Sequence, residues 1–231
     1  MLGGPVGTYS VARRLSAKRK GRLMLEHVPS WLGRALQGLR AGADKLVIAQ
    51  AELGDAYGTL DLASPAFAHG GRLPPRFTAD GEGVSPPLVW NAVPEGTESL
   101  ALIVEDPDAP TPQPLVHAIV WDISPDDHRL AEGAIAADGD GSADGRDVGR
   151  NSYFREGWLP PDPPTGHGEH RYAFQLFALA AGPDAGDTPS RSALVRAMAG
   201  RVLAAGLLIG TYSRGDPAMV GPAGAVAART R

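Results

Sequence analysis

Two short stretches hold the residues able to do chemistry. In ALIVEDPDAPTPQPLVHAIVWD (101–122), Asp106 and Asp108 stand where one apolar run ends, and His117 stands just inside the next. In PPDPPTGHGEHRY (160–172), His170 and Tyr172 are two residues apart, a spacing that puts an imidazole and a phenol on one side of a strand. Arg171 then faces the other way, toward a structural role such as pairing with an acid. Taken singly, each of these residues reads as structural. A histidine at a strand end is usually satisfied or exposed, and Asp108 in a proline-rich turn suits an Asx-type cap. The ensemble is what points to a site: two strands each deliver a histidine, and each histidine follows a stiff proline-rich loop.

The elements that must position these groups follow from the apolar pattern. Leu100–Val104 and Leu115–Trp121 are Ile-, Val- and Leu-rich and read as buried strands. Between them Pro107, Pro110, Pro112 and Pro114 fix φ and withhold donors, so the connection is a stiff loop. Tyr172–Leu179 is the clearest strand, with Tyr172, Phe174, Leu176 and Ala178 on one face. Thr59–Leu62 and Leu88–Trp90 read as shorter strands, and 124–170 as mostly loop. Within that loop DGDGSADGRD (138–147) departs from a calcium loop at Ala143 and Gly149, and reads as an acidic turn. Pro189–Gly206 reads as a helix with Leu194, Met198 and Val202 or Leu203 on its stripe and Gly206 as its stop, followed by a strand at Ile209–Tyr212. Ser30–Gly42 has helical apolar spacing through Trp31, Leu32, Ala35, Leu36 and Leu39.

Composition bounds the class. The 231 residues include 30 Gly and 21 Pro, which favours a turn-rich β protein. There is no cysteine, which excludes disulfide and thiolate chemistry, and the net charge of −4 argues against a nucleic-acid binder. No apolar run is long enough for a membrane span and no secretory signal pattern is present, so the default location is the cytoplasm. The chain divides into a basic disordered tail at 1–23, a helical extension at 24–58, a main domain at 59–214 and a tail at 215–231, with Met24 an alternative start.

SPAF with LPPRFTADGEGVSPPLVW (64–90), SLALIVEDPDAP (99–110), LVHAIVWDI (115–123), PPTGHGEHRYAFQLFAL (163–179) and the GTYSR ending together resemble the phosphatidylethanolamine-binding protein family, in its bacterial YbhB/YbcL, Raf kinase inhibitor-like branch. The resemblance covers roughly 59–214 and implies a mainly β, two-sheet sandwich with a C-terminal helix beside a small anion pocket. The N-terminal helix is then an addition. Carried over residue by residue, the pocket comprises Asp106, His117, Pro164, Gly166, His170 and Tyr172, with Asp108, Pro110 and Arg171 supporting its loops. Leu115 replaces a common aromatic, and Trp158 and Asp162 alter the run at the rim. The implied function is a non-enzymatic binder of phosphate-bearing ligands such as phosphoethanolamine headgroups, without cofactor or metal. The same reading extends to regulation of a protein partner and to homodimer formation through the Ser30–Gly42 helix. In that reading protonated imidazoles donate to phosphate, and amides near Gly166 and Gly168 add donors in a nest. Two alternatives are a metal enzyme built on Asp106, His117 and His170 as a two-His-one-carboxylate set, and a kinase or protease inhibitor or scaffold acting through its surface.

Overall fold

The computed structural model describes residues 40–50, 53, 57–136, 142–143 and 146–215. The expected Ser30–Gly42 helix, apart from its last three residues, and both expected tails, apart from Gly215, lie outside these.

Three long strands form the centre: β5 (Ser99–Asp106), β6 (Leu115–Ile123) and β10 (His170–Leu179). Each is a nearly continuous apolar run because both of its faces are covered. Along β5, Leu100, Leu102 and Val104 enter one core, while Ala101 and Ile103 enter a second. Along β10, Tyr172, Phe174, Leu176 and Ala178 enter the first core, and Phe177 and Leu179 the second. That is the period of two expected of a pleated strand with cores on both sides.

These strands belong to a sheet ordered β1 (Gly58–Thr59), β11 (Val202–Tyr212), β10, β5, β6, β9 (Arg146–Val148) and β8 (Ser142–Ala143), with β3 (Gly71–Arg72) also paired to β11. A second sheet, β2 (Asp61–Ala63), β4 (Leu88–Asn91) and β7 (Arg129–Leu130), closes the first core between the layers. The other face of the large sheet lies under helix α1 (Arg191–Met198) and residues Val47 and Leu53 of the N-terminal extension. The architecture is therefore the expected mainly β sandwich with a C-terminal helix.

The helix expected over Pro189–Gly206 is shorter. Ser190 caps α1, its side chain accepting from the Ala193 N–H, and the helix ends at Met198. Gly200 adopts φ 66° and turns the chain out of the helix into β11, which pairs with all of β10. Val202 still reaches the core shared with Leu194 and Met198, so its helical spacing reflects a common core and not a common helix. Gly206 stops nothing; it lies mid-strand, where a Cβ would stand 2.9 Å from the Leu60 carbonyl oxygen. The expected Thr59–Leu62 strand is divided between the two sheets at Leu60.

Candidate functional site

The site forms at one end of β5, β6 and β10. Asp106 closes β5, and its carboxylate has two duties. Its Oδ1 accepts from the Asp108 amide at 2.8 Å, so the Asx turn belongs to Asp106 and not, as the sequence suggested, to Asp108. Its Oδ2 accepts from His170 Nδ1 at 2.7 Å. The other ring nitrogen of His170 lies 2.6 Å from Nδ1 of His167, so a buried Asp106, His170, His167 chain runs between the two loops.

His117 reaches the same place by a different device. In the β5–β6 ladder Val104 faces Ala118 and Glu105 faces Val116, so His117 is the extra residue of a β-bulge. A bulge re-aims a side chain that regular alternation would send elsewhere. The His117 amide carbonyl accepts from Leu159 N at 2.8 Å, and His117 Nδ1 donates to the Leu159 carbonyl at 2.7 Å. A carbonyl can only accept, so the proton is on Nδ1. Nε2 is buried and has no hydrogen-bond partner. Burial lowers the His117 pKa below its ordinary value; the Asp106 charge and the Leu159 carbonyl oppose this, and His170 adds to it. At neutral pH His117 therefore offers a lone pair, not the donor expected from the sequence.

A cavity of about 180 Å³ opens among these groups. Asp106, His117, Pro164 and His170 of the expected set line it, as do Pro110, Leu115 and Asp162. Gly166 and Tyr172 do not. Tyr172 is packed in the core with its ring edge-on to His117, centroids 5.1 Å apart. Its hydroxyl is buried without a partner, and burial, with the charges of Asp106 and Asp162, pushes its pKa well above the usual value. Gly166 and Gly168 take φ 81° and 100°, and the turn they make joins the His167 amide to the Pro164 carbonyl at 3.0 Å. Trp158 is no part of the rim; it is buried and stacks on Phe174 at 6.2 Å. Asp162 is on the lining and is ion-paired to Arg214, two residues beyond the last strand.

Asp108 faces away from the cavity and holds the loops. Its Oδ2 accepts from Arg171 Nε at 2.7 Å and from the Arg171 amide at 2.9 Å, and its Oδ1 from Arg171 Nη2 at 2.9 Å. Burial alone would raise its pKa, but hydrogen bonds and charge from Arg171, with a contribution from Arg40, hold it below the ordinary carboxylate value.

The two-His-one-carboxylate set is not assembled. Both nitrogens of His170 and both oxygens of Asp106 are already engaged, and among the described residues no group of three His, Asp or Glu side chains is placed to hold a metal ion. His167 carries no signal of its own in the sequence; it stands between Gly166 and Gly168, and only the turn folds it onto His170.

Residues 63–213 match the family profile described as phosphatidylethanolamine-binding protein. The chain belongs to that family. Among relatives, the UPF0098 protein of Methanothermobacter thermautotrophicus is 41% identical over 156 residues, spanning 68% of this chain and 100% of that one. A Mycobacterium tuberculosis relative named as a proposed lipoprotein, LppC, is 38% identical over 157 residues, 66% of this chain and 72% of its own. Among solved structures, Escherichia coli YbcL superposes with a TM-score of 0.62 at 28% identity, covering 68% of this chain and 99% of that one. A Chlamydia trachomatis homologue of the family superposes with a TM-score of 0.60 at 35% identity, with coverage of 68% and 99%. Membership makes the chain a binding protein by family. No helix among the described residues is long and apolar enough to cross a membrane.

Proposed function

We propose that the protein is a non-enzymatic binder of small phosphate-bearing molecules of the phosphoethanolamine kind, and that the ligand enters as a proton donor. The observation that carries this is His117, which lines the cavity together with Asp106 and whose buried Nε2 has no hydrogen-bond partner. A fully deprotonated phosphate would meet a lone pair and carboxylates. An ammonium group, or the P–OH of a phosphate monoanion, supplies the missing proton. The volume supports a headgroup rather than an acyl chain, since drug-sized ligands occupy pockets of roughly 300–1,000 Å³ and this one is about 180 Å³.

Calorimetric titration with O-phosphoethanolamine and with inorganic phosphate at pH 6 and pH 8 tests this. O-phosphoethanolamine should bind at both values, inorganic phosphate more weakly at pH 8, where its dianion keeps one P–OH but brings a second negative charge toward Asp106 and Asp162, and His117→Ala should weaken both at least tenfold. Equal binding of inorganic phosphate at the two pH values, or no loss in His117→Ala, would overturn it. A cytoplasmic location and regulation of a protein partner belong to the same proposal. Cell fractionation checks the first, against the lipoprotein name of the mycobacterial relative, and affinity capture with the cavity blocked checks the second.

A further inference from the structure

We infer that residues 40–50, which precede the family match, are a strap that joins the two cavity loops, and that Arg40 is its positioning residue. The match begins at residue 63, so nothing in the shared domain assigns this segment a role.

The strap runs along the loop that follows β5. Ala41 N donates to the Ala109 carbonyl at 3.1 Å, Gly42 N to Pro107 at 2.9 Å, and Lys45 Nζ to Pro112 at 3.1 Å. The proline-rich loop offers carbonyls and few donors, so its satisfaction has to come from another chain segment. Gly42 makes the close approach with φ 104°, where a Cβ would stand 2.5 Å from Asp44 Oδ1.

Arg40 then reaches across to the second loop. Its Nη1 is 2.8 Å from Asp108 Oδ1 and donates to the Glu169 carbonyl at 3.1 Å. Asp108 lies on the loop that carries Ala109 and Pro110 into the cavity wall, and Glu169 directly precedes His170. One guanidinium nitrogen, Nη1, thus ties the two walls.

The strap is itself anchored. Val47 N donates to Glu105 Oε2 and Ile48 N to Gln175 Oε1, each at 2.8 Å, on the face of the sheet away from the cavity. Val47 is fully buried in the second core, and Arg191 of α1 donates to the Lys45 carbonyl. A strap fixed to β5, β10 and α1 transmits their rigidity to two loops that have little regular structure of their own.

Hydrogen exchange on the full-length chain tests this, comparing wild type with Arg40→Ala and Arg40→Lys. The reporters are the Asp108 and Arg171 amides, bonded to Asp106 and Asp108, and the His167 amide. In Arg40→Ala they should exchange about tenfold faster while Phe174 and Leu176 amides in β10 do not change. Arg40→Lys should restore the Asp108 amide more than the His167 amide, because an ammonium is drawn to the Asp108 charge but, on a shorter side chain, does not also reach the Glu169 carbonyl. Unchanged exchange at all three amides, or a uniform increase that includes β10, would overturn the strap. O-phosphoethanolamine affinity should fall about tenfold in Arg40→Ala. Should the wild type not bind that probe, the ligand reading fails while the exchange data still decide the strap.

Discussion

Replacing Asp108 by asparagine should cost about 2–3 kcal/mol at pH 7 and lower Tm by about 5–10 °C. The carboxylate is buried and takes Arg171 Nε at 2.7 Å, Arg171 Nη2 at 2.9 Å, the Arg171 amide at 2.9 Å and Arg40 Nη1 at 2.8 Å. Asparagine keeps one acceptor oxygen and turns an NH₂ toward guanidinium donors. Hydrogen bonds to charged groups contribute about 1.5–3 kcal/mol each, but Arg171 and Arg40 have side chains 46% and 33% exposed and regain water when released. That recovery holds the net loss well below the sum. The sign with pH is also fixed. The folded-state pKa is depressed, so the contribution is complete above the unfolded value of about 3.9 and disappears as pH falls through the folded one. Chemical denaturation of both proteins between pH 7 and pH 3 measures this. A difference under about 0.5 kcal/mol at pH 7, or one that does not shrink on acidification, would refute the loop-anchoring role.

Three further outcomes are expected. Glu105→Ala should destabilise by about 3–5 kcal/mol in urea unfolding, because the fully buried carboxylate accepts from Arg191 Nε at 2.6 Å, Gln175 Nε2 at 2.8 Å and Val47 N at 2.8 Å; a loss below about 1 kcal/mol counts against it. Gly206→Ala should cost about 1–3 kcal/mol, since the new Cβ would meet Leu60 O at 2.9 Å and Leu62 Cβ at 3.0 Å, and a wild-type Tm for that variant would contradict the packing of β11. His117 should titrate below its ordinary value of about 6.5, so its contribution to stability is present above that pH and lost as pH falls through the folded value; an NMR titration placing it at or above 6.5 would reverse the donor and acceptor assignment.

The central strands were legible because both faces of β5, β6 and β10 are covered, which writes long Val, Ile and Leu runs into the chain. Asp106 and His170 were legible from the motifs around them. What stayed hidden depends on pairing between distant residues. The bulge at His117 exists only in the register of β6 against β5, and no local residue announces it. The segment 200–212 is rich in Ala, Leu and Gly, whose apolar pattern serves helix or strand; pairing with β10 decides for strand. Tyr172 shares a side with His170 as its spacing requires, yet its hydroxyl ends in the core, because spacing gives the face of a strand and not the depth of the cavity. Arg40 carries no local signal, and its task appears only when the strap is laid against the loops.

The most direct test is NMR of the histidine side chains during titration with O-phosphoethanolamine near pH 7.5. Before ligand is added, His117 should be neutral with its proton on Nδ1, as its bond to the Leu159 carbonyl requires. On titration the His117 and His170 resonances should move together and saturate together, while those of His69 and His128, both exposed and off the cavity, stay in place. Silence at both His117 and His170, or movement confined to His69 and His128, would contradict a ligand-binding cavity between β5, β6 and β10.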